Sequence, residues 1–414
     1  MNPPPPSHSP ATLPSDAPAA PAAPAIRLLL AASVVLIALN LRPVFSSLSV
    51  LLPEIMKSVG LTAAGASVLT MLPVLCLGLF APAAPALEHH VGMERTLLGC
   101  LLLVTLGTLL RGAGSAAPLF VGSALAGIGI AVANVLMPVL VKRDFPRHVA
   151  LMMGLYTMWV PGGAAIAAGL TVPLEHALAG GWTRALAAWA VPAAVVTLLW
   201  APYALSTRSL ADGAPRARVR GLTRDRLAWQ VTLFMGLQSA LAYIVMGWLA
   251  PILRARGLDA ATAGYVLSAS TLVQIVTCLA LPALAVRRPS QSGLALGVVL
   301  VTLATLLACQ FGPLNQVWVW AIVLGAAQGA GFALALTLIV LRSPDARVAS
   351  QLSAMAQGVG YLIAAVGPLL VGLLRGWTGS FDAAAWLYLL IAAVMAASGI
   401  GAGRARHVLS AKKG

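Results

Sequence analysis

The chain has 414 residues, of which 60% are hydrophobic and only 9% are charged. A water-soluble globular protein cannot hide so large an apolar share, because its surface has to be polar, so composition argues against a soluble domain. A formal net charge of +15 would suggest nucleic-acid binding in a soluble protein, but here the basic residues are scattered between apolar runs, and we expect no nucleic-acid partner.

The chain begins with residues 1–25, which are nearly all Pro, Ala and Ser. Such a composition predicts a disordered tail, because it offers almost nothing to bury. A cleaved signal peptide is not expected, since the first apolar run starts after Arg27 and is far longer than a signal core.

Twelve apolar runs follow, each with about 20 residues or more, which is enough for a helix to cross about 30 Å of hydrocarbon. The runs are 28–52, 61–86, 95–112, 117–141, 149–173, 183–206, 227–250, 261–286, 291–311, 316–341, 349–373 and 383–403. The predicted fold is therefore an all-α membrane protein with twelve transmembrane helices. Its predicted parts are the tail, a half at 26–206, a basic linker at 207–226, a half at 227–404 and a basic tail at 405–414.

The distribution of Lys and Arg tests this span count. If the N-terminus is cytoplasmic, nineteen of the 26 basic residues fall on the cytoplasmic side, six fall outside, and Arg42 alone remains inside the membrane. This bias follows the positive-inside rule. We therefore expect a multi-pass protein of the cell (inner) membrane with both termini in the cytoplasm.

An internal repeat supports the division into two halves. LLPEIMKSVGLTAAGASVLT around Pro53 and LAPILRARGLDAATAGYVLS around Pro251 share their order of Pro, Gly-Leu, Ala-Ala and Gly at an offset of about 198 residues. Duplicated halves of this kind surround a central binding site in many carriers. The repeat predicts two pseudo-symmetric six-helix bundles with a cavity between them.

Arg42 is the strongest signal for a site, because it lies inside the first run next to Pro43. An arginine in lipid costs about 2.5–3.5 kcal/mol on insertion scales, so this side chain should face a polar interior. One interpretation is that Arg42 binds an anionic or strongly polar solute with its planar fork of donors. The alternative is a structural arginine that bonds helix-end carbonyls or reaches the membrane interface.

All eleven acidic residues fall in tails, loops or the ends of runs, so Arg42 has no obvious carboxylate partner. This pattern favours an anion over a cation as the solute. It also argues against a proton-coupled drug exporter, which needs a carboxylate within the membrane to carry the proton.

Other polar residues inside the runs could line the same cavity, or could instead bond neighbouring helices. The predicted substrate-binding residues are Arg42, Asn40, Asn134, Tyr156, Gln238, Tyr243, Gln357 and Tyr361. The charged residues Arg143 and Asp144, and Arg342 and Asp345, end matching helices of the two halves. They could form gate bridges, or could simply be solvated loop charges.

The sequence shows no catalytic set. The four cysteines lie in apolar runs without metal-ligand spacing, so no metal and no cofactor are expected. An embedded enzyme is therefore less favoured than a transporter, and a channel would need a continuous pore.

The two-times-six layout and the loop APALEHHVGMERTLL resemble the major facilitator superfamily, with Glu88 and Arg95 in place of that loop's acidic and later basic residues. NLRPVFSSLSVLLPEI (40–55) and GIGIAVANVLMPVLVKRDFP (127–146) resemble the family of cyanate permease and the 2-nitroimidazole transporter. The resemblance implies an inner-membrane permease and does not fix its substrate. From Arg42 and the two-half layout we expect a monomer that carries a small polar and anionic solute, such as cyanate or a small carboxylate, by alternating access. An exporter of drugs or nitroimidazoles is the alternative. Direction, coupling ion and a gating role for the loop stay open.

Overall fold

The computed structural model describes residues 24–206 and 221–409, and the structured part of this stretch is helical, with no β-strand. The predicted tail before residue 24, residues 207–220 of the predicted linker and residues 410–414 lie outside the described residues.

The α-helices of the described chain are numbered in chain order. They are α1 (Pro24–Asn40), α2 (Pro43–Val50), α3 (Leu52–Val59), α4 (Ala63–Phe80), α5 (Ala84–Val91), α6 (Met93–Leu110), α7 (Ala116–Asp144), α8 (Val149–Ala177), α9 (Gly181–Ala188), α10 (Ala190–Ser206), α11 (Arg226–Ala255), α12 (Ala260–Val286), α13 (Ser292–Phe311), α14 (Val317–Leu341), α15 (Ala346–Thr378) and α16 (Ala384–Ala402). Short 3₁₀ turns lie at Ala81–Ala83, Leu222–Arg224 and Leu314–Gln316.

Twelve helical segments of the described chain are long and apolar enough to cross a membrane. Their ends agree with those of the predicted runs to within about five residues, as hydrophobic length fixes them. Three spans are composite: α1 with α2, α4 with α5, and α9 with α10. The predicted fold class is confirmed, and the chain is a multi-pass membrane protein.

Large apolar side chains on the outside of the bundle remain exposed, among them Leu198 and Trp386, at 72% and 76%. In water such a surface would be unstable, but lipid tails solvate it. The membrane face on which α1 begins and α16 ends is called the termini face below, and the other is called the opposite face.

The interface between the two halves is approximately symmetric, because equivalent helices of each half make equivalent contacts with the other. Helix α4 of the first half packs on α15 of the second, and α12 of the second packs on α8 of the first, while α2 meets α11 between them. The repeat is also visible at helix starts. Thr62 caps α4 through the Gly65 amide at 3.2 Å, and Asp259 caps α12 through the Thr262 amide at 2.9 Å. These equivalences place α2 and α11 at the pseudo-twofold axis.

Candidate functional site between the two halves

The first span is broken where Arg42 lies. Helix α1 ends at Asn40, α2 begins at Pro43, and Leu41 and Arg42 form a bend between them. Pro43 has no amide hydrogen, so the carbonyl of Leu39, four residues earlier, loses its helical partner. Helix α8 approaches this carbonyl closely at Gly163, where any Cβ atom would collide with the Leu39 oxygen. The break therefore depends on a proline in one helix and a glycine in its neighbour.

Arg42 projects from this break towards the second half. Its Nη1 atom donates a hydrogen bond to the Tyr243 hydroxyl of α11. Its guanidinium carbon lies 5.5 Å from the ring centre of Phe45 and 5.3 Å from that of Tyr243, which permits cation–π attraction. Tyr361 and Tyr156 also lie within electrostatic reach of the guanidinium. An aromatic and hydroxyl surface thus surrounds the charge.

Phe45 and Tyr243 are equivalent residues of the repeat, at an offset of 198, and they meet at the axis. Their ring centres are 5.5 Å apart. Ser49 and Gly247 are equivalent at the same offset, and the Ser49 hydroxyl donates to the Gly247 carbonyl at 3.0 Å. Arg42 therefore lies close to the pseudo-twofold axis, although its own equivalent in α11 is the apolar Ala240.

A second pair of predicted site residues lies together on the first-half wall. The Tyr156 hydroxyl of α8 donates to the Asn134 side-chain oxygen of α7 at 3.1 Å. The Asn134 Nδ2 atom is buried and has no hydrogen-bond partner. The Ser46 hydroxyl, one turn beyond Arg42, is likewise buried without a partner. Buried donors without partners are costly, and a ligand that accepts hydrogen bonds would satisfy them.

The other three predicted binding residues make local hydrogen bonds. Asn40 donates to the Leu36 carbonyl at 2.8 Å, Gln238 to the Ser239 hydroxyl at 2.7 Å, and Gln357 to the Ser353 hydroxyl at 2.8 Å. The structure thus groups Arg42 with Tyr243, Tyr361 and Tyr156, and joins Asn134 to this group through Tyr156. It leaves these three amides bonded to their own helices.

No carboxylate accompanies this group. The ion pairs of the described residues join Arg143 to Glu94, Arg143 to Asp144, and Arg254 to Glu54, and Arg42 belongs to none of them. The described residues also contain no group of three or more His, Cys, Asp or Glu side chains that could bind a metal ion. The site therefore offers positive charge, hydroxyls and amide donors, which suit a small anion or a strongly polar acceptor.

Of the two predicted gate pairs, the structure forms one. Arg143 does pair with Asp144, at 2.6 Å, but its other partner is Glu94 at the same distance, so the cluster lies within the first half. Arg342 is not paired with Asp345 in the described structure. Instead it donates to Gln291 and to the carbonyls of Ala402 and Gly403.

Asp345 is used differently from the prediction. Its side chain accepts from the Val348 amide at 2.8 Å and so caps α15. A carboxylate before a helix gains more from the free amides of the first turn than from an exposed ion pair. A bridge between Arg342 and Asp345 in a state closed at the termini face stays a prediction.

The ion pair that joins the halves lies at the opposite face, where the sequence analysis placed no gate. Arg254 of α11 binds Glu54 of α3 in a bidentate pair, with Nη1 at 2.7 Å from Oε2, and also donates to the Val50 carbonyl at 3.2 Å. Both residues follow equivalent prolines, Pro53 and Pro251. The opposite charges that follow these two prolines are the sequence feature from which this ion pair could have been predicted.

Arg111 is one of the six basic residues expected on the side away from the termini. It is fully buried where α6 ends, and a Cβ atom at Gly122 of α7 would lie only 3.0 Å from its Cγ atom. None of its three guanidinium nitrogens has a hydrogen-bond partner. Arg111 thus lies within the first half, whereas the half-buried Arg42 lies between the halves.

Comparisons with known proteins agree with this architecture. The model of the family described as Major Facilitator Superfamily matches residues 28–368. The chain is 39% identical to an uncharacterized transporter of Bacillus subtilis (92% of this chain, 94% of that protein), 37% to the 2-nitroimidazole transporter of Escherichia coli (92% and 97%), and 32% to the cyanate transport protein of Escherichia coli (84% and 90%). A bacterial homolog of the human lysosomal transporter Spinster shares the fold, with a TM-score of 0.72 at 16% identity over 94% of this chain and 100% of that one.

Proposed function

The chain belongs to the major facilitator superfamily of transporters, and from this membership we propose that it carries a small polar, anionic solute across the membrane by alternating access. The solute is a monovalent anion of the size of cyanate or a small carboxylate. Arg42 is its main anchor.

One observation carries this proposal: a guanidinium lies between the two halves with no carboxylate to neutralise it. Its hydrogen-bond partner across the halves is the Tyr243 hydroxyl. A charge in this position is expensive unless something compensates it, and a bound anion would do so. The unpartnered Asn134 amide supplies a further donor on the same wall.

The position of Arg42 in a broken span supports the same conclusion. Discontinuous helices form the solute sites of many carriers, and the amino end of the second segment carries partial positive charge. Here α2 begins directly after Arg42, so the helix end and the guanidinium add their positive potentials.

The contacts between the halves suggest how the site is reached. Ser49, Val50 and Glu54 bind α11 on the opposite-face side of Arg42 and close that side. In the proposed cycle this seal breaks while the termini face closes, as the two halves rock around the fixed site. The excess of basic residues on the termini side supports a cytoplasmic location for the termini in an inner-membrane protein, which we expect to act as a monomer.

A second candidate is export of a neutral nitroaromatic compound. The aromatic surface around Arg42, formed by Phe45, Tyr243 and Tyr361, favours it, with ring centres 5.5 and 6.2 Å from that of Tyr243. Rings of this kind stack on flat ligands. The 37% identical relative named as a 2-nitroimidazole transporter belongs to the same family.

A transport screen separates the two candidates. Purified protein in proteoliposomes is tested with labelled cyanate, acetate, benzoate and 2-nitroimidazole, with and without a pH gradient, against liposomes without protein. We expect saturable uptake of at least one anion. For a weak acid, its initial rate should follow the concentration of the ionised form as pH changes. Uptake restricted to 2-nitroimidazole, or a rate that follows the neutral acid, would contradict the anion proposal.

A further inference from the structure

A cavity lies at the opposite face, away from Arg42. It has a volume of about 600 Å³ and lies between α3 of the first half and the end of α11, the beginning of α12 and the end of α15 of the second half. Its charged lining residues are Lys57, Arg254, Arg375 and Asp259, and Trp248 and Phe381 contribute apolar walls. Lys57 and Asp259 are exposed, so the cavity opens towards the water on that side.

The cavity concentrates cations on a face that has few. Of the six Lys and Arg residues assigned to this side of the membrane, three line this one space. Arg256 and Arg184 are engaged elsewhere, with the Cys309 and Leu178 carbonyls respectively. The positive-inside rule disfavours basic residues on this face, so their collection in one cavity is not a consequence of topology.

Two of the three cations have no ionic partner. Among the ion pairs of the described residues none involves Lys57 or Arg375, and Arg375 instead lies with its guanidinium carbon 4.1 Å from the Phe381 ring centre. The one carboxylate in the lining, Asp259, caps α12. Hydrogen bonds from the Thr262 side chain and amide lower the pKa of this carboxyl. The lining is therefore net positive.

Arg254 connects this cavity to the seal between the halves. It lines the cavity while its guanidinium holds Glu54 and the Val50 carbonyl. An anion in the cavity would compete with Glu54 for this guanidinium. Occupation of the cavity would thus weaken the contact that keeps the opposite face closed.

We propose that this cavity is a second anion-binding site, which captures the transported anion from the opposite face before the seal opens. The inference rests on the proposed function, since it takes the solute to be an anion. Clefts lined by one sign of charge raise the local concentration of counter-ions by about 10- to 1,000-fold, and Lys57 and Arg375 would provide this effect.

Charge-selective labelling tests the site without relying on transport. Leu61 lines the cavity, and a Leu61→Cys variant places a thiol there. Intact cells are treated with membrane-impermeant methanethiosulfonates, one negatively and one positively charged. The native cysteines lie in the membrane spans, buried or half-buried, so the chain without Leu61→Cys gives the background.

The negative reagent should react about tenfold faster than the positive one, relative to their rates with a free thiol. The ratio should fall several-fold when Lys57→Gln and Arg375→Gln are added to Leu61→Cys. Benzoate should slow the labelling of the variant that carries Leu61→Cys alone. Arg184→Gln is the matched control, because it removes one charge from the same face outside the cavity and should leave the ratio unchanged.

The proposal would be overturned if the ratio of the two labelling rates stayed the same in the Lys57→Gln and Arg375→Gln variant, or if it fell equally in Arg184→Gln. These cations would then have a structural role at helix ends. Absence of protection by benzoate, by cyanate and by acetate would overturn it as well.

Failure of the proposed function at the central site would give a different result: the labelling ratio would be as expected, but proteoliposomes would transport no anion. Where transport is seen, the double variant should raise the KM for uptake from this face about tenfold and leave the KM from the termini face unchanged.

Discussion

The first span and its repeat equivalent, α11, meet at the pseudo-twofold axis and differ where function is expected. Both contribute aromatic rings at equivalent positions, Phe45 and Tyr243, and both take part in the Ser49–Gly247 contact. However, the first span is broken at Arg42, whereas α11 continues unbroken through the equivalent Ala240. Duplication has thus preserved the frame, while the charge and the helix break belong to one half only.

Packing between the halves and binding of the solute therefore require different residues. Packing at the axis needs matched shapes on the two sides, which the repeat supplies. A monovalent solute needs one positive charge, and a second arginine at Ala240 would add a repulsive buried charge close to the first. Four predictions test whether the asymmetry carries the function.

The largest effect is expected at Arg42, whose equivalent in the second half is the uncharged Ala240. Arg42→Ala should lower initial anion uptake in proteoliposomes at least about 100-fold, because a charge-assisted bidentate contact is lost. Arg42→Lys should retain part of the activity as a point charge. The matched change Ala240→Gly in α11 should leave uptake per folded protein within about threefold, since its cost of about 1 kcal/mol falls on helix stability. A large uptake defect in Ala240→Gly would contradict the claim that only the first half carries the binding charge.

The Tyr243 hydroxyl should matter next most, because it orients Arg42 from the other half. Tyr243→Phe should lower uptake about tenfold, as hydrogen bonds to charged groups are worth about 1.5–3 kcal/mol. Tyr388→Phe is the control: its buried hydroxyl has no hydrogen-bond partner in the described structure, and its removal should not reduce uptake. Equal loss in both variants would indicate a general packing defect.

The seal at the opposite face should respond more weakly. Glu54→Gln removes a partly exposed ion pair worth about 1 kcal/mol, so the opposite face should open about fivefold more often. This can be measured as faster labelling of a Ser49→Cys thiol by an impermeant reagent. The charge swap Glu54→Arg with Arg254→Glu should restore slow labelling. If the swap labels as fast as Glu54→Gln, the pair does not hold the seal.

The smallest effect is expected at Asn40 and its repeat equivalent Gln238. Both amides bond atoms of their own helix, so Asn40→Ala and Gln238→Ala should each change the KM by less than about twofold. A tenfold rise in KM for either variant would show direct contact with the solute, as the sequence analysis expected.

The sequence predicted the spans well, because hydrophobic length alone determines them. It also singled out Arg42, since a charge inside an apolar run is conspicuous. It could not predict that Tyr243 would accept a hydrogen bond from Arg42, because that contact joins residues 201 positions apart and depends on how the halves pack together. The pairing of Glu54 with Arg254 could not be predicted for the same reason. The charges at the termini face are prominent in the sequence, and residues of their own half bind them, whereas Glu54 and Arg254 become partners only when α3 and α11 meet.

Binding to purified protein tests the central claim most directly. The transported anion is titrated calorimetrically into the wild-type chain and into Arg42→Gln, which removes the charge and keeps a polar side chain of similar reach. We expect saturable binding by the wild type and affinity at least about 100-fold weaker in Arg42→Gln, at a similar thermal unfolding temperature. Equal affinity in the two proteins would contradict it, and the anion would then have to bind elsewhere.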